Sequence, residues 1–547
     1  MQGAAKTGPQ AGRYDQAAIV VLLIASAVAL WTWRDYDVTW DESYHLEYGR
    51  HIYAFFASGF EDQTALNYRL DYLYGGGFDL SGAIFYRLAA PVLDRYQAIH
   101  LFGTLVGMAG LWGTWRLARV LGGSRAGLLG ALFISTTAVY WGHMANNPKD
   151  MPFAVGYVWA LALLLETIRT FPRVPPTKAL GLAVAMGLAM SVRIAGLLLP
   201  CYLAGAILVW LGHRAWQLRA AEALYREGRR LALTGLLVSA GAWLVMVIWW
   251  PWALFDPIGR PLAALRRMSQ FMGLKRDMPF AGKMMSTYDV DWRYMLHYFG
   301  LKLPEFIVVA SVPAVLLIAI RLWHNRREPE LLHRNLVFGT LLVALLFPWL
   351  YSVARSSIVY DGLRHFLFEV PVVVATVAYF LDSLLGAALA RFGRRAGLVA
   401  GVVVALLCVD QVATMVRLHP YEYVYFNRFI GGLAGATDKY DTDYYAASYG
   451  EAGELLAAHL WRTEPERFLD TGYIVGSCVG RDIAMRRLPP NFQPRKRKPD
   501  FWLGYRRDDC HLRFPEAPIV VEVEREGGVL LIGRDLRSER QRGGSNE

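Results

Sequence analysis

The segment Thr39-Trp40-Asp41-Glu42-Ser43-Tyr44-His45 places two adjacent carboxylates a few residues beyond the first long apolar stretch of this 547-residue chain. At that position they stand at the depth of lipid headgroups, beside Trp40 and Tyr44, residue types that anchor at membrane interfaces. An amphipathic stretch follows (Leu46, Ile52, Phe55, Phe56). As a helix it would lie in the interface and hold the carboxylates at a fixed depth. A carboxylate so placed can accept a proton from an incoming nucleophile. Asp41 is therefore the candidate base and Glu42 its neighbour, whereas on a soluble surface the same pair would be ordinary.

The elements that must position this pair are membrane helices. Hydrophobic residues make up 55% of the chain and charged residues 19%, with a mean hydropathy of +0.26 and 18 Trp, 29 Tyr and 26 Phe. That composition excludes a disordered chain, a coiled coil and a disulfide scaffold. Apolar stretches long enough to cross a bilayer fall near residues 16–33, 98–118, 126–144, 151–168, 179–192, 195–212, 231–250, 304–322, 336–353, 365–384 and 397–416, about eleven in all. The net charge of +11 is no nucleic-acid signature, because residues 417–547 hold equal numbers of basic and acidic side chains. The excess gathers in alternate short connectors around Arg116–Arg125, Arg169–Lys178, Arg214–Arg230, Arg321–Arg334 and Arg391–Arg395. By the positive-inside rule these are cytoplasmic, so the N-terminus is inside and the C-terminus outside.

The expected organisation is a transmembrane part, residues 1–416, with a first outer loop (34–97) containing interfacial helices and a large outer loop (251–303). A small α/β domain follows in 417–547, with a helix near 448–461, a strand near 472–477 and a hairpin on either side of Gly527-Gly528. Cys201 and Cys408 read as packing residues. Cys478 and Cys510 lie in the outer tail, where a disulfide can form if that compartment is oxidising. No Cys/His spacing suggests zinc. The Asp-x-Asp of Tyr440-Asp441-Thr442-Asp443-Tyr444-Tyr445 reads as packing of the tail on the membrane part rather than as a metal site, and the basic run Arg495–Lys498 as a solvated loop. Arg193 is more informative. Flanked by apolar residues, it needs an anion to persist at membrane depth, either a phosphate or a carboxylate.

Three further outward segments accompany the Asp-Glu pair: His143-Met-Ala-Asn-Asn-Pro-Lys-Asp-Met-Pro-Phe153, Tyr360-Asp-Gly-Leu-Arg-His-Phe366, and His419-Pro-Tyr-Glu-Tyr423 continued by Tyr425-Phe426-Asn427. In this order, over roughly residues 15–450, they resemble the lipid-linked-sugar glycosyltransferases that include protein O-mannosyltransferases and lipid A aminoarabinose transferases, whose membrane fold is called GT-C. The resemblance implies a polytopic α-helical GT-C fold and an inverting transfer of a monosaccharide from a polyprenyl-phosphate donor to a hydroxyl acceptor on a lipid, glycan or protein. It also implies a multi-pass protein of the bacterial inner membrane working on the periplasmic side, with no cofactor required and no metal indicated. Asp41 would be the general base beside Glu42. The departing phosphate asks for positive charge and hydrogen-bond donors, which Lys149, Arg193, Arg364, His365 and, from the large loop, Lys283 or Arg267 can supply. His143, Asn146, Asn147, Tyr360, Asp361 and Tyr288 are the matching substrate-binding candidates. Plainer roles exist for several: Lys149 as a lysine reaching to headgroups, Arg193 in a structural ion pair, and Lys283 on a solvated face.

A lipid or glycan transporter, or flippase, would also explain many spans and an intramembrane arginine, and a non-catalytic scaffold is a third reading. Transporters, however, tend to carry midplane charge and two related halves. Here the polar residues gather on one outer face and no repeat is apparent.

Overall fold

The computed structural model describes residues 9–217, 221–269, 275–495 and 497–538. Arg219 and Lys496, members of the basic connector and basic run noted above, lie outside them.

Eight helices among the described residues are long and apolar enough to cross a membrane: Gly12–Thr32, Asp150–Ile168, Ile194–Gln217, Ala221–Ile248, Glu305–Asn325, Pro329–Ala354, Arg364–Phe392 and Arg394–Leu418. The other three expected spans fall on different objects. Residues 126–144 are divided between Ser124–Ser135 and Ala138–Trp141, broken at Thr136-Thr137, whose hydroxyls bond back to backbone carbonyls. Residues 179–192 fall on the 15-residue helix Pro176–Met190. At 1.5 Å per residue, 12- and 15-residue helices reach only about 18 and 22 Å, short of a hydrocarbon core of about 30 Å. Arg95–Gly122 has the length, 28 residues, but dilutes its apolar character with Gly103, Gly107, Gly110 and Gly113. Those glycines let neighbours approach: a Cβ at 103 would stand 2.7 Å from the Ala145 carbonyl oxygen. Small residues at such contacts are how membrane helices pack closely.

The first outer loop folds as two short helices, Glu42–Ala57 and Gly77–Ala89, packed against each other. Glu42–Ala57 buries Glu42, His45, Tyr48, Gly49, Ile52 and Phe55, the three-and-four spacing of one helical face. The large outer loop contains the helix Gly259–Ser269, a hairpin of β1 (Asp277–Phe280) with β2 (Lys283–Ser286), and the helix Arg293–Lys302.

Beyond Leu418 the chain does not enter its sheet at once. Residues 419–448 pack against the membrane part and bury Tyr421, Tyr423, Tyr425, Tyr444 and Tyr445. The helix Tyr449–Thr463 then leads to β3 (Tyr473–Ser477), β4 (Phe492–Pro494), β5 (Phe501–Tyr505), β6 (Ile519–Arg525) and β7 (Gly528–Asp535). They form one mixed sheet in the order β4-β3-β5-β7-β6, parallel at β4-β3 and β3-β5 and antiparallel elsewhere. The expected helix, strand and hairpin are all there. Cys478 and Cys510 are disulfide-bonded, with Cα atoms 6.3 Å apart.

Candidate active site

Asp41 occupies the N-cap position of Glu42–Ala57, yet its side chain makes no capping bond. Glu42 does the local work instead. Its Oε2 accepts from the Thr39 N–H (2.7 Å) and the Thr39 hydroxyl (3.1 Å), and its Oε1 lies 2.7 Å from His100 Nε2. Glu42 is thus buried and turned away from its neighbour, leaving the Asp41 carboxylate free to face other elements.

Two of those elements are tight turns. In the first, Asn147 Oδ1 accepts from the N–H groups of Lys149 (3.3 Å) and Asp150 (2.9 Å), which sets the start of Asp150–Ile168. Asp150 then sits in a first helical turn, where the macrodipole favours a carboxylate. In the second, Asp361 and Gly362 both have positive φ, 57° and 69°, conformations suited to Asp and Gly. The backbone of Gly362 is clamped at both its N–H and C=O by the Tyr294 hydroxyl (3.0 and 3.3 Å). This reversal brings Asp361 and Arg364 together at the head of a membrane helix. A third element is the break between Pro176–Met190 and the helix that follows, where Arg193 is extended (φ −138°, ψ 133°). The Gly75-Gly76-Gly77 run rests on this break: Gly77 N–H donates to the Ser191 carbonyl (3.0 Å), and a Cβ at 75 would lie 2.0 Å from the same oxygen.

These turns converge on one charged cluster. Asp41 Oδ2 lies 3.1 Å from Lys149 Nζ and 2.8 Å from Arg364 Nη1. Arg364 also pairs with Asp361 (3.0 Å) and approaches Asp150 (3.9 Å). Asp150 is bonded by Arg193, so the partner of that intramembrane arginine is a carboxylate. Asp361 is held in addition by Arg276 (3.1 Å) and Arg507 (3.3 Å), and Arg276 also pairs with Asp441. Both cations on Asp41 take Oδ2. The Asp41 side chain is 22% exposed.

Burial by itself would raise the Asp41 carboxyl, but Lys149 and Arg364 outweigh it and hold it far below the usual carboxylate range. Burial pushes the Lys149 ammonium down, and Asp41 reverses this to a net rise. Asp361 behaves like Asp41: burial is overcome by Arg507, Arg364 and Arg276. One turn along from Asp41, His45 Nδ1 bonds Asp79 Oδ1 at 2.8 Å. Burial opposes its charge, but Asp79 prevails and its pKa is raised.

The remaining candidates divide. Tyr360 stacks edge-on to His365 (ring centroids 4.8 Å) and lies under Arg364 (5.0 Å), at the edge of the cluster. Asn146 and Asn147 are engaged within the fold: Asn146 Nδ2 donates to the Asp37 carbonyl (3.2 Å), and Asn147 Nδ2 to His143 Nδ1 (3.2 Å) and to Asp150 (3.3 Å). His143 is fully buried and reaches the Tyr444 hydroxyl through Nε2 (3.2 Å). Lys283 is exposed on β2 and makes no ion pair with the cluster, and Tyr288 lies over Lys275 at 5.9 Å. Arg267 donates to the Tyr72 hydroxyl (3.3 Å). Asp443, the second acid of Asp-x-Asp, bonds Tyr423 and Ser448, so the two aspartates diverge. Among the described residues no group of three or more His, Cys, Asp or Glu side chains converges in the manner of metal ligands.

Compared with protein-family models and with curated proteins, the chain matches none. Among solved structures it superposes on the archaeal oligosaccharyltransferase AglB from Archaeoglobus fulgidus, in complex with an inhibitory peptide and a dolichol-phosphate. The TM-score is 0.51 at 12% identity, over 87% of this chain and 64% of that one. The apo form of the Archaeoglobus enzyme gives 0.50 at the same identity and coverage. The fold is that of the GT-C glycosyltransferases. ArnT from Cupriavidus metallidurans, bound to undecaprenyl phosphate, superposes at 0.47 with 16% identity over 94% of this chain and 97% of that one. This chain spans 64% of the length of the archaeal protein.

On this GT-C frame, the cluster contains four residues that were not site candidates in the sequence: Asp150, inside the second motif; Asp441, read as packing of the tail; Arg276; and Arg507. Asp150 had a signal, since an arginine at membrane depth demands an anion and a carboxylate opens the apolar helix beside it. Arg276 was one of eight basic residues in a loop without local pattern.

Proposed function

We propose that the chain is an inverting glycosyltransferase which moves a monosaccharide from a polyprenyl-phosphate donor to a hydroxyl on a lipid, glycan or protein acceptor. The observation that carries this reading is the setting of the Asp41 carboxylate: its Oδ2 is held by two cations while its side chain keeps 22% of its surface exposed. In the transfer, Oδ1 takes the proton of the acceptor hydroxyl as its oxygen attacks the anomeric carbon. The bond from that carbon to the phosphate oxygen breaks, and the electron pair leaves on the lipid phosphate. Inversion asks for one base and no second carboxylate as nucleophile, which agrees with Glu42 being bonded to Thr39 and His100.

A phosphate monoester is a good leaving group when cations meet its developing charge. Lys149 and Arg364 suit that task, with Arg193 and His365 behind them and Tyr360 alongside. Because the same two cations hold Asp41 far below its ordinary pKa, Asp41 is a weak base while they grip it. A donor phosphate that drew them away would restore its basicity at the moment it is needed, so donor binding would arm the base. The chemistry asks for no metal, since the chain's own cations supply the charge. A dolichol-phosphate in the archaeal neighbour is in keeping with a lipid-phosphate donor. The basic connectors favour a bacterial inner membrane orientation with the N-terminus cytoplasmic and the cluster and sheet domain periplasmic.

The test is transfer in nanodiscs, read as release of polyprenyl phosphate from a labelled donor. Wild-type release that Asp41→Asn abolishes while donor is still bound supports the reading. If labelled donor instead crosses vesicle bilayers without cleavage, the protein is a flippase.

A further inference from the structure

A second charged cavity lies at the opposite end of the helices that build the cluster. Asp150–Ile168 starts in the candidate site at Asp150 and ends 19 residues later beside Arg169. At 1.5 Å per residue it is about 28 Å long, close to the hydrocarbon thickness. Arg95–Gly122 runs with it and carries Trp115, Arg116 and Arg119 at the same far end. Between them opens a cavity of about 410 Å³ whose walls include Trp115, Arg116, Arg119, Glu166, Arg169 and Lys178.

Its charges do not cancel. Glu166 takes Arg116 through two hydrogen bonds (2.8 and 2.9 Å), and Asp15 takes Arg119 in the same way (2.8 and 2.9 Å). Arg169 donates to the Val120 carbonyl and feels the charge of Glu166, which Arg116 already engages, and neither Arg169 nor Lys178 has a carboxylate within ion-pair distance among the described residues. Two cations on separate elements therefore line one space without an ion pair of their own, and Trp115 supplies an aromatic wall. Basic pockets between membrane helices on one face are suited to lipid head groups. A phosphate is the anion that a guanidinium and an ammonium can hold together.

We propose that this cavity binds the phosphate head of an anionic lipid from the leaflet opposite the candidate active site. The shared chemistry is a lipid phosphate, either the diester of a phospholipid or the monoester of a polyprenyl phosphate. The proposal does not depend on the transferase reading.

The full-length protein is reconstituted in phosphatidylcholine nanodiscs containing phosphatidylglycerol, undecaprenyl phosphate or both, and the lipid that it retains is counted by native mass spectrometry. Wild type is expected to keep one anionic lipid, and the mixed discs show whether diester or monoester is preferred. Arg169→Gln with Lys178→Gln should lose it, with affinity falling about fivefold for each charge removed. Lys178→Gln alone disturbs no ion pair of the fold and should show half of that effect on the same scale, which keeps the test open if the double variant misfolds. Equal retention by wild type and Lys178→Gln, retention of neither lipid, or an equal loss in Arg226→Gln on another connector would each overturn the proposal.

Discussion

Replacing Asp41 by Asn removes one negative charge and almost no volume, and its two expected effects have opposite signs. Lys149 loses its only carboxylate partner among the described residues and keeps the Tyr74 ring at 5.6 Å. Arg364 loses a 2.8 Å contact but retains Asp361. If a donor phosphate must compete with Asp41 for these cations, the substitution removes the competitor. Hydrogen bonds to charged groups contribute about 1.5–3 kcal/mol each. Asp41 is 22% exposed and Lys149 13%, so solvent screening moves the sum toward the low end. Donor binding should tighten by about 1–3 kcal/mol, or roughly 5- to 150-fold. Loss of the general base should meanwhile slow transfer about 10²- to 10⁴-fold. A non-transferable phosphonate analogue titrated into nanodiscs reads the affinity, and release of polyprenyl phosphate reads the rate. Asp41→Asn that binds the analogue more weakly would show that the carboxylate supports the donor site rather than competing with the phosphate. An unchanged rate would remove it from the chemistry.

Further outcomes follow from the same contacts. Arg276→Gln leaves Asp361 and Asp441 buried with less compensation and should cost about 3–5 kcal/mol, seen as a lower Tm; exposed Lys283→Gln should stay within about 0.5 kcal/mol. The folded Asp41 pKa lies below its unfolded value, so the stability it contributes is present above about pH 4 and fades as pH falls toward the folded value. The Tm gap between wild type and Asp41→Asn should therefore be full at neutral pH and narrow below about pH 4. Gly142→Ala would set a Cβ 2.1 Å from the Tyr423 backbone nitrogen, and it should loosen residues 419–448, measurable as faster proteolysis there. Replacing Cys478 and Cys510 by Ser opens a link over 32 residues and should cost about 2–4 kcal/mol, read from the melting of the sheet domain.

What the sequence made legible follows from which interactions are local. Asp41, Lys149, Arg193 and Arg364 stand out because charge beside apolar runs is costly, and the structure brings these four into one cluster. The sequence ranks Asp41 ahead of Glu42, but only the contacts show how the two part. Successive helical residues point about 100° apart, and only the positions of Thr39 and His100 show which carboxylate faces inward. Arg276 does not stand out from Lys283 and Arg267 in the large loop, because nothing nearby in the chain distinguishes them. The difference is tertiary, set by Asp361 and Asp441 from segments remote in sequence. Eight of the expected spans meet long apolar helices and three do not for a related reason: hydropathy averages over the break at Thr136-Thr137 and does not measure helix length.

The residues on either side of Asp41's approach are tied to a segment far later in the chain. Trp40 N–H donates to the Tyr445 carbonyl (3.3 Å), and the Tyr36 hydroxyl donates to Glu422 across a sequence separation of 386 (3.0 Å). At about 5–20 residues per second of synthesis, the nascent N-terminal loop waits roughly 20–80 s before those partners exist. Until residue 445 is translated, then, Tyr36 and Trp40 lack these two bonds.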